Sequence, residues 1–417
     1  GAPAVGAPLP LLELREGPGA NGWIVAPQPA ALAALRRIER PVAVVAIAGP
    51  YRSGKSSLLN WLAARATTSG SSSAGHGSRR RAEFDVGHDV ERCTRGIWLL
   101  ATHADGTNVS STQPPQHGSS SSSPGDDTSP AVVWLDTEGL GGLGDVDGAY
   151  DATLFSLTAL LCSTLVYNSL GALDERAVAA LGFAATLSQR VGVSSPEELA
   201  ASMPRLVWVL RDFALALEDE TGAPLSADDY LENALRERPQ HSAENHNTKG
   251  SSPRRAAENA QVQRRRPGDD ARRALRAFFP RRACRTLPRP FVGENDADFR
   301  PEFSAALDDL LETLVSAKDS AVKRIGTTRA RVSSGAAVAK LVEEYARAFN
   351  EAKVPTLSSA WRRVLEDETE RLVRLANVAH DAALASVVST ESLAARLAAL
   401  GEAHARGSRR AEDIVRA

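Results

Sequence analysis

Residues 49–56 read Gly-Pro-Tyr-Arg-Ser-Gly-Lys-Ser, and they follow the apolar run Val42–Ile47. That run predicts a buried strand, and residues 57–62 (Ser-Leu-Leu-Asn-Trp-Leu) begin a helix directly after the loop. Gly49 and Gly54 allow the backbone to curl so that successive N–H groups point at phosphate oxygens. Because the helix N-terminus adds partial positive charge at the same place, the pattern predicts a site for a nucleoside triphosphate.

The side chains of this loop extend that prediction. Lys55 can reach the β- and γ-phosphates, and the Ser56 hydroxyl can ligate Mg²⁺. A chance Gly/Ser turn is the plainer alternative, but the strand before the loop and the helix after it disfavour it. The predicted nucleotide-binding residues of this region are Gly49, Tyr51, Arg52, Ser53, Gly54, Lys55, Ser56 and Ser57.

Length and composition limit the number of domains, the partners and the location that can be expected. A chain of 417 residues has room for two domains, and a net charge of −2 argues against a surface devoted to nucleic acid, so no specific nucleic-acid binding is expected. Cys93, Cys162 and Cys284 are too few and too scattered for a disulfide framework or a zinc site. No secretory signal is visible, and the most apolar window, Thr153–Tyr167, is shorter than the roughly twenty residues that span a bilayer. A reduced, cytoplasmic location is expected.

Further apolar runs between helical patterns predict the fold class. Four runs suit buried parallel strands, and a fifth follows an apolar helix. We therefore predict an α/β P-loop domain with a mostly parallel central sheet and helices on both faces. The runs are Val42–Ile47, Ile97–Ala101, Val132–Leu135, Leu206–Leu210 and Leu165–Tyr167.

Three polar stretches interrupt this pattern and are interpreted as disordered surface insertions. Residues 67–81 and 105–130 are rich in Ser, Gly and Pro, and residues 236–270 are strongly basic. The pair Arg281-Arg282 and the single Arg285 extend the positive region. An ordinary solvated loop is the plainer interpretation, and a flap near the nucleotide or a contact with an anionic surface is the functional alternative.

The hydrophobic pattern of the sequence changes at about Pro301. From there on, apolar residues recur at helical spacing and no further strand pattern is visible. Gly335 and Pro355 mark expected breaks between helices. We predict that the α/β domain with the phosphate-binding loop covers residues 1–300 and that a helical domain covers residues 301–417. The stripes are Phe303, Leu307, Leu310, Leu311 and Leu314; Val338, Leu341, Val342, Tyr345 and Phe349; and Trp361, Val364, Leu365, Leu372 and Leu375.

A second motif follows the strand at residues 132–135. Asp136 ends it within Asp-Thr-Glu-Gly, where a carboxylate can hold a metal-bound water near the loop, and the Gly139 N–H can meet a γ-phosphate. Ras-like GTPases carry D-x-x-G here, although an ordinary acidic turn remains the alternative. Thr94 precedes a strand and can coordinate Mg²⁺ when a γ-phosphate is present. The predicted metal ligands are Ser56, Thr94 and Asp136.

The base-recognition motif N-K-x-D is absent from the sequence. Residues 207–213 read Val-Trp-Val-Leu-Arg-Asp-Phe at the corresponding place in the chain order. A carboxylate at such a strand end can accept hydrogen bonds from both N1–H and N2–H of guanine. Asp212 is therefore the candidate guanine reader, with Leu210 and Arg211 beside it.

These motifs together resemble the guanylate-binding proteins, interferon-inducible large GTPases of the dynamin superfamily. Four stretches carry the resemblance: the loop with its internal Arg (49–56), Thr-Arg-Gly-Ile-Trp (94–98), Leu-Asp-Thr-Glu-Gly-Leu-Gly (135–141) and Leu-Arg-Asp-Phe (210–213). Flanking stretches at 160–169, 229–235 and 278–280 are also similar.

The resemblance implies a mechanism and a set of residue roles. In this family GTP brings two G domains face to face, and Arg52 would then act as an arginine finger in cis. Lys55 would hold the phosphates, Ser56 and Thr94 the Mg²⁺, and Glu138 and Gly139 would organise the γ-phosphate end. Arg211 and Asp212 would read guanine, and residues 236–270 would cover the base. GTP or GDP, Mg²⁺ and a nucleotide-dependent homodimer or higher oligomer are the expected cofactors and partners.

Two departures from the family leave alternatives open. Arg92 stands where the family often carries a Ser that positions the attacking water, and the helical part is shorter than the usual stalk. A GTP-dependent self-assembling scaffold with little hydrolysis is therefore one alternative. An atlastin-like membrane-remodelling GTPase is another, although no membrane-spanning segment is visible. The basic stretch leaves peripheral contact with anionic intracellular membranes open.

Overall fold

The computed structural model describes a set of ranges within the 417-residue chain. They are residues 7–17, 22–68, 83–84, 96–102, 130–140, 148–173, 175, 177–179, 181–182, 203–219, 221–236, 269–291, 299–315, 322, 324–325, 331–332, 334–351, 357–385 and 393–416.

One eight-stranded sheet organises the described residues, with strand order β2-β1-β4-β5-β3-β6-β7-β8. A separate pair of two-residue strands, β9 and β10, lies beyond it. The strands are β1 Leu9–Glu16, β2 Trp23–Pro27, β3 Val42–Ala48, β4 Ile97–Thr102, β5 Ala131–Thr137, β6 Thr164–Leu170, β7 Arg205–Arg211, β8 Arg282–Leu287, β9 Arg324–Ile325 and β10 Arg331–Val332. The helices are α1 Pro29–Arg36, α2 Lys55–Thr68, α3 Gly148–Leu161, α4 Ala227–Ala234, α5 Asp269–Phe278, α6 Pro301–Val315, α7 Gly335–Asn350, α8 Leu357–Ala385 and α9 Leu393–Arg416.

The sheet is parallel through its centre and antiparallel at one side. β5, β3, β6, β7 and β8 run parallel, and the largely apolar sequences of β3, β5 and β7 reflect burial on both faces. The predicted α/β class is therefore confirmed. The predicted parallel strand at Ile97–Ala101 is wrong in direction, because β4 pairs antiparallel with both β5 and β1. An apolar run alone reports burial and carries no information about strand direction.

Each of the arginines near residue 283 has a partner within the fold. Arg282 lies on β8, where its guanidinium forms an ion pair with Glu232 at 2.6 Å. Arg285 pairs with Asp309 at 2.8 Å, and Arg281 donates to the Met203 carbonyl at 3.0 Å. These charges hold neighbouring elements to the edge of the sheet.

Two apolar cores cover the two faces of the sheet, and both include helices from beyond residue 300. The first contains residues of α1, α3, α5 and α7. The second contains residues of α2 and α6, with Phe303, Leu307 and Leu310 among the fully buried ones. The predicted domain boundary at 300/301 stays a prediction, but two of the helices beyond it pack directly on the sheet.

The C-terminal helices α8 and α9 pack along each other. The expected break at Gly335 coincides with the first residue of α7, whereas Pro355 lies outside the described residues. The short strands β9 and β10 correct the prediction that strands end with the α/β region. In the part of the chain that the structure describes, no helix combines the length and apolarity needed to cross a bilayer.

Candidate nucleotide site

Those predicted site residues that the structure describes converge at the carboxyl ends of β3, β5 and β7, beside β6. The loop after β3 carries residues 49–56, Asp136 lies near the end of β5, and Arg211 ends β7. Because these strands are parallel neighbours, their ends share one edge of the sheet, which is where open α/β sheets bind ligands.

Asn168 of β6 stabilises the loop after β3 through hydrogen bonds. The Asn168 amide donates to the Ser53 carbonyl at 2.7 Å and to the Ser53 hydroxyl at 3.0 Å. A Cβ at Gly49, whose φ is +151°, would lie 2.1 Å from the Asn168 carbonyl oxygen, so only glycine fits there. The buried Ser53 is thus a structural member of the loop.

Lys55 lies folded into the loop with its side chain buried. Its ammonium donates to the Pro50 carbonyl at 3.0 Å. Burial lowers the pKa of Lys55 to about 8, and the nearby carboxylates of Asp136 and Glu138 oppose that shift. A phosphate group at this place would supply the negative charge that favours the ammonium form.

Ser56 and Asp136 meet where the sequence predicts a metal. The Ser56 hydroxyl donates to Asp136 Oδ2 at 2.6 Å, and Asp136 is fully buried. A hydroxyl and a carboxylate are hard oxygen ligands of the type that Mg²⁺ prefers, so these two residues fit the predicted ion. Thr94, the third predicted ligand, lies outside the described residues, as does Arg92.

The segment after β5 closes against the loop. Leu140 N donates to the Gly49 carbonyl and Tyr51 N to the Leu140 carbonyl, both at 3.1 Å. A Cβ at Gly139 would lie 2.6 Å from Tyr51 Cα, which explains the glycine. The close approach places the Gly139 backbone next to the Lys55 ammonium, consistent with its predicted position near a terminal phosphate.

Glu138 has a more specific setting than the sequence indicates. Its Oε2 accepts hydrogen bonds from Gly96 N, at 3.1 Å, and from the Tyr150 hydroxyl. Its own N–H donates to the Gly96 carbonyl at 3.0 Å. The buried carboxylate therefore ties the start of β4, two residues after Thr94, to helix α3.

The predicted base-reading residues end β7 beside the loop. Asp212 has a left-handed backbone, with φ of +55°, and its Oδ1 is buried without a hydrogen-bond partner among the described residues. The Arg211 guanidinium reaches back to the Gly54 carbonyl, with an Nη1–O distance of 3.4 Å. Leu210 is fully buried in the core, so its side chain cannot contact a ligand and only its backbone is available.

Arg52 stands out from the loop. Its side chain is exposed, its φ of +61° is left-handed, and its guanidinium lies 5.7 Å from the centre of the Tyr51 ring. A left-handed non-glycine residue costs about 1–3 kcal/mol, which neighbouring structure must offset. Ser57 is half-buried at the start of α2. The predicted base cover at 236–270 falls almost wholly outside the described residues.

Three residues of this region escaped the sequence-based assignment: Asn168, Tyr150 and Trp61. A polar residue directly after the apolar run of a strand, as Asn168 is in β6, is a usable signal. Tyr150 and Trp61 are aromatic residues on helices, which more often belong to a core, so only their tertiary contacts distinguish them.

The strand–loop–helix unit, the buried Lys55 and the Ser56–Asp136 pair define a P-loop nucleotide-binding domain. Comparison with known proteins makes the class more specific. Residues 25–325 match the family model of the guanylate-binding protein N-terminal domain. The chain therefore belongs to the guanylate-binding protein family, which confirms the resemblance predicted from its motifs.

Individual relatives agree with the family match. The chain is 30% identical to guanylate-binding protein 3 of Homo sapiens over 377 residues, covering 86% of this chain and 53% of that protein. It is 29% identical to guanylate-binding protein 6 of Pongo abelii over 363 residues, covering 83% and 48%. Guanylate-binding protein 2 of Homo sapiens is 28% identical over 396 residues, covering 91% and 56%. The chain spans about half the length of the curated relatives it matches.

Proposed function

We propose that this chain is a large GTPase that binds guanine nucleotides and hydrolyses GTP with Mg²⁺. The observation that carries the proposal is the buried Oδ1 of Asp212, which has no hydrogen-bond partner among the described residues and lies at the same sheet edge as the phosphate-binding loop. Guanine offers two adjacent donors, N1–H and N2–H, to such a carboxylate, and adenine does not. A site built to accept those donors discriminates strongly, because a base without them leaves buried oxygens unpaired.

The other residues of the edge take complementary roles. Backbone N–H groups of residues 52–56 would orient the phosphates, and Lys55 would turn from the Pro50 carbonyl to the β- and γ-oxygens. Ser56 and Asp136 would hold Mg²⁺, with Thr94 as a third ligand, and the bound ion supplies charge neutralisation on the phosphate oxygens. The Gly139 N–H would face the γ-phosphate.

Arg52 is the proposed arginine finger, acting in cis. Its exposed guanidinium would have to leave the Tyr51 ring and approach the β–γ bridge, where negative charge grows as the bond breaks. A second copy docked over the site would exclude water and hold the side chain in place. Homodimerisation that depends on nucleotide is therefore part of the proposal.

A GTP-dependent scaffold with little hydrolysis is the second candidate. It is favoured by the exposed position of Arg52 and by the engagement of Glu138 with Gly96 and Tyr150. A cytoplasmic location suits both candidates. Contact with an anionic membrane would fall to residues 237–268, since Arg281, Arg282 and Arg285 are engaged within the fold.

Turnover measured against protein concentration, with GTP and ATP side by side, separates these candidates. A specific GTP activity that rises with concentration supports the dimer-activated GTPase. Tight GTP binding with flat, near-zero turnover supports the scaffold. Equal use of ATP contradicts the guanine assignment.

The Asp212→Asn variant tests the base reader directly. Its amide offers a donor where the carboxylate offers an acceptor, so it suits xanthine, which carries a carbonyl in place of the 2-amino group. We expect GTP affinity to fall and xanthosine triphosphate affinity to rise. Unchanged preference in the variant would exclude Asp212 from base contact.

A further inference from the structure

Arg211 is a buried cation whose surroundings do not neutralise it. Its side chain is only 6% exposed, and its Nε is buried without a hydrogen-bond partner among the described residues. Burial lowers the pKa of Arg211, and the neighbouring Asp212 opposes the shift only in part. Within the described ranges no carboxylate lies at ion-pair distance from the guanidinium. Asp212 therefore supplies only part of the stabilisation that this buried charge needs.

The indole of Trp61 lies against the Arg211 guanidinium. Arg211 Cζ lies 5.1 Å from the centre of the Trp61 ring, within the range of a cation–π contact. Trp61 lies on α2, six residues after Lys55, so the helix that begins at the phosphate-binding loop also supports the base-reading strand end. An aromatic face stabilises a cation without adding negative charge beside the nucleotide phosphates, which a carboxylate partner would do.

The indole is itself fixed by an aromatic cluster. Its ring lies edge-on to Phe299, at 5.3 Å and 73°, and to Phe303, at 5.4 Å and 88°. Phe291 adds a more distant edge contact at 6.4 Å. Phe303 is fully buried on α6. Rings held from several sides have few rotamers to lose, so the position of Trp61 is defined before any ligand binds.

We propose that Trp61 is a positioning residue for base discrimination: its ring holds the Arg211 guanidinium and thereby fixes the left-handed Asp212 that follows. The proposal rests on the proposed function, in which Asp212 reads guanine. If the guanidinium is released, the peptide between the two residues can relax towards ordinary backbone angles and turn the carboxylate away from the base. Phosphate binding should depend less on this contact, because Asn168 and the loop itself hold Ser53 and Lys55, whereas Arg211 reaches the loop only through its 3.4 Å contact with the Gly54 carbonyl.

Binding measurements on the full chain with Trp61→Leu and Trp61→Phe test this role. The ligands are non-hydrolysable analogues of GTP and ATP, with inorganic triphosphate as a probe of the phosphate site alone. We expect Trp61→Leu to lose about thirtyfold in GTP-over-ATP discrimination, the fold-change that corresponds to a desolvated cation–π contact. Its triphosphate affinity should stay within about twofold, and Trp61→Phe should keep most of the discrimination because it retains a ring face.

Leu310→Ala is the matched control for stability. Leu310 is fully buried on α6 in the same core as the aromatic cluster, and it takes no part in the contact with Arg211. It should lower the melting temperature while leaving discrimination intact. If Trp61→Leu does not fold, Trp61→Met, which fills the space without a ring, carries the same comparison.

The outcomes separate this inference from the proposed function. A wild-type chain that binds GTP and ATP analogues equally overturns the proposed function and this inference with it. A wild type that discriminates, together with a Trp61→Leu variant that discriminates equally well, overturns the inference alone. A parallel loss of triphosphate affinity also overturns it, because the effect would then belong to the whole site.

Discussion

Lys55 illustrates how burial prepares a single residue for a ligand. Its ammonium is desolvated in the folded chain, and its pKa falls from 10.5 to about 8. Between these two values the unfolded chain keeps the proton that the folded chain has lost. The Lys55 contribution to the free energy of unfolding therefore rises with pH over that window, and it is unfavourable below pH 8. The same shift makes nucleotide binding sensitive to pH.

We expect nucleotide affinity to weaken by about fourfold between pH 7 and pH 8.5, because the free protein must regain a proton on Lys55 before it holds a phosphate. Calorimetric titration with a non-hydrolysable GTP analogue, in buffers of different ionisation enthalpy, measures the affinity and the protons taken up. Binding at pH 8 without proton uptake would show that Lys55 is already charged in the free chain.

Arg52→Ala should lower GTP turnover by about a hundredfold or more while changing nucleotide affinity little. An arginine finger stabilises charge that develops only in the transition state, so its loss affects kcat and spares binding. Single-turnover hydrolysis and equilibrium binding on the same preparation give the two quantities. Turnover equal to that of the wild type would remove Arg52 from the reaction.

Tyr150→Phe should lower the free energy of unfolding by about 1–3 kcal/mol, because the buried Glu138 carboxylate loses one of its hydrogen-bond donors. Tyr167→Phe is the matched control: Tyr167 is fully buried, and its ring packs edge-on against Trp208. Denaturant unfolding measures both variants. Equal losses in the two would mean that the Tyr150 hydroxyl contributes nothing specific.

At the scale of elements, helices α8 and α9 approach closely at one glycine. A Cβ at Gly407 would lie 3.1 Å from Ala383 Cβ and 3.2 Å from His380 Cα, whereas a Cβ at Gly401 meets nothing within 4 Å. His380 Nε2 and His404 Nδ1 lie 2.9 Å apart across the same pair of helices. The two glycines therefore share a helix but differ in what surrounds them.

Gly401→Ala should raise the free energy of unfolding by up to about 1 kcal/mol, the gain in helix propensity. The free energy of unfolding of Gly407→Ala should be at least about 1 kcal/mol lower than that of Gly401→Ala, because the added methyl group must push α8 away. Thermal unfolding of both variants measures the difference. If both raised stability equally, the close approach of α8 and α9 would be excluded.

The elements that the sequence predicts well are those with a continuous apolar pattern. β3, β5, β6 and β7 match their predicted runs, since burial on both faces demands apolar residues throughout. β8 reads Arg-Ala-Cys-Arg-Thr-Leu, and its charges resemble a basic surface until the partners Glu232 and Asp309 are known. Glu232 lies 50 positions before Arg282, and Asp309 lies 24 positions after Arg285. No local sequence pattern indicates these partners.

At the scale of the whole molecule, the helices beyond residue 300 complete the α/β unit. α6 buries Phe303, Leu307, Leu310 and Leu314 against one face of the sheet, and α7 packs on the other face. Each fully buried apolar side chain contributes about 1.5–3 kcal/mol. Asn350 adds a pair of hydrogen bonds to the Val25 backbone of β2, at 2.7 and 2.9 Å.

A chain cut after residue 300 should therefore fail to fold, whereas one cut after residue 351 should remain folded. The shorter chain exposes the apolar surface that α6 and α7 cover, and the longer one retains both helices. Solubility and a cooperative thermal transition distinguish the two. A stable, cooperative 1–300 chain would support the predicted domain boundary at 300/301 instead.

The sequence by itself determined the phosphate-binding loop, the α/β class and the family, because loop geometry and strand burial depend on residues that are adjacent in the chain. The tertiary structure alone decided the antiparallel direction of β4, the placement of α6 on the sheet and the partners of Glu138 and Arg211. Contacts such as Tyr150 with Glu138 and Trp61 with Arg211 join separate elements. Their geometry is fixed by packing across the sheet edge, which no local pattern of residues encodes.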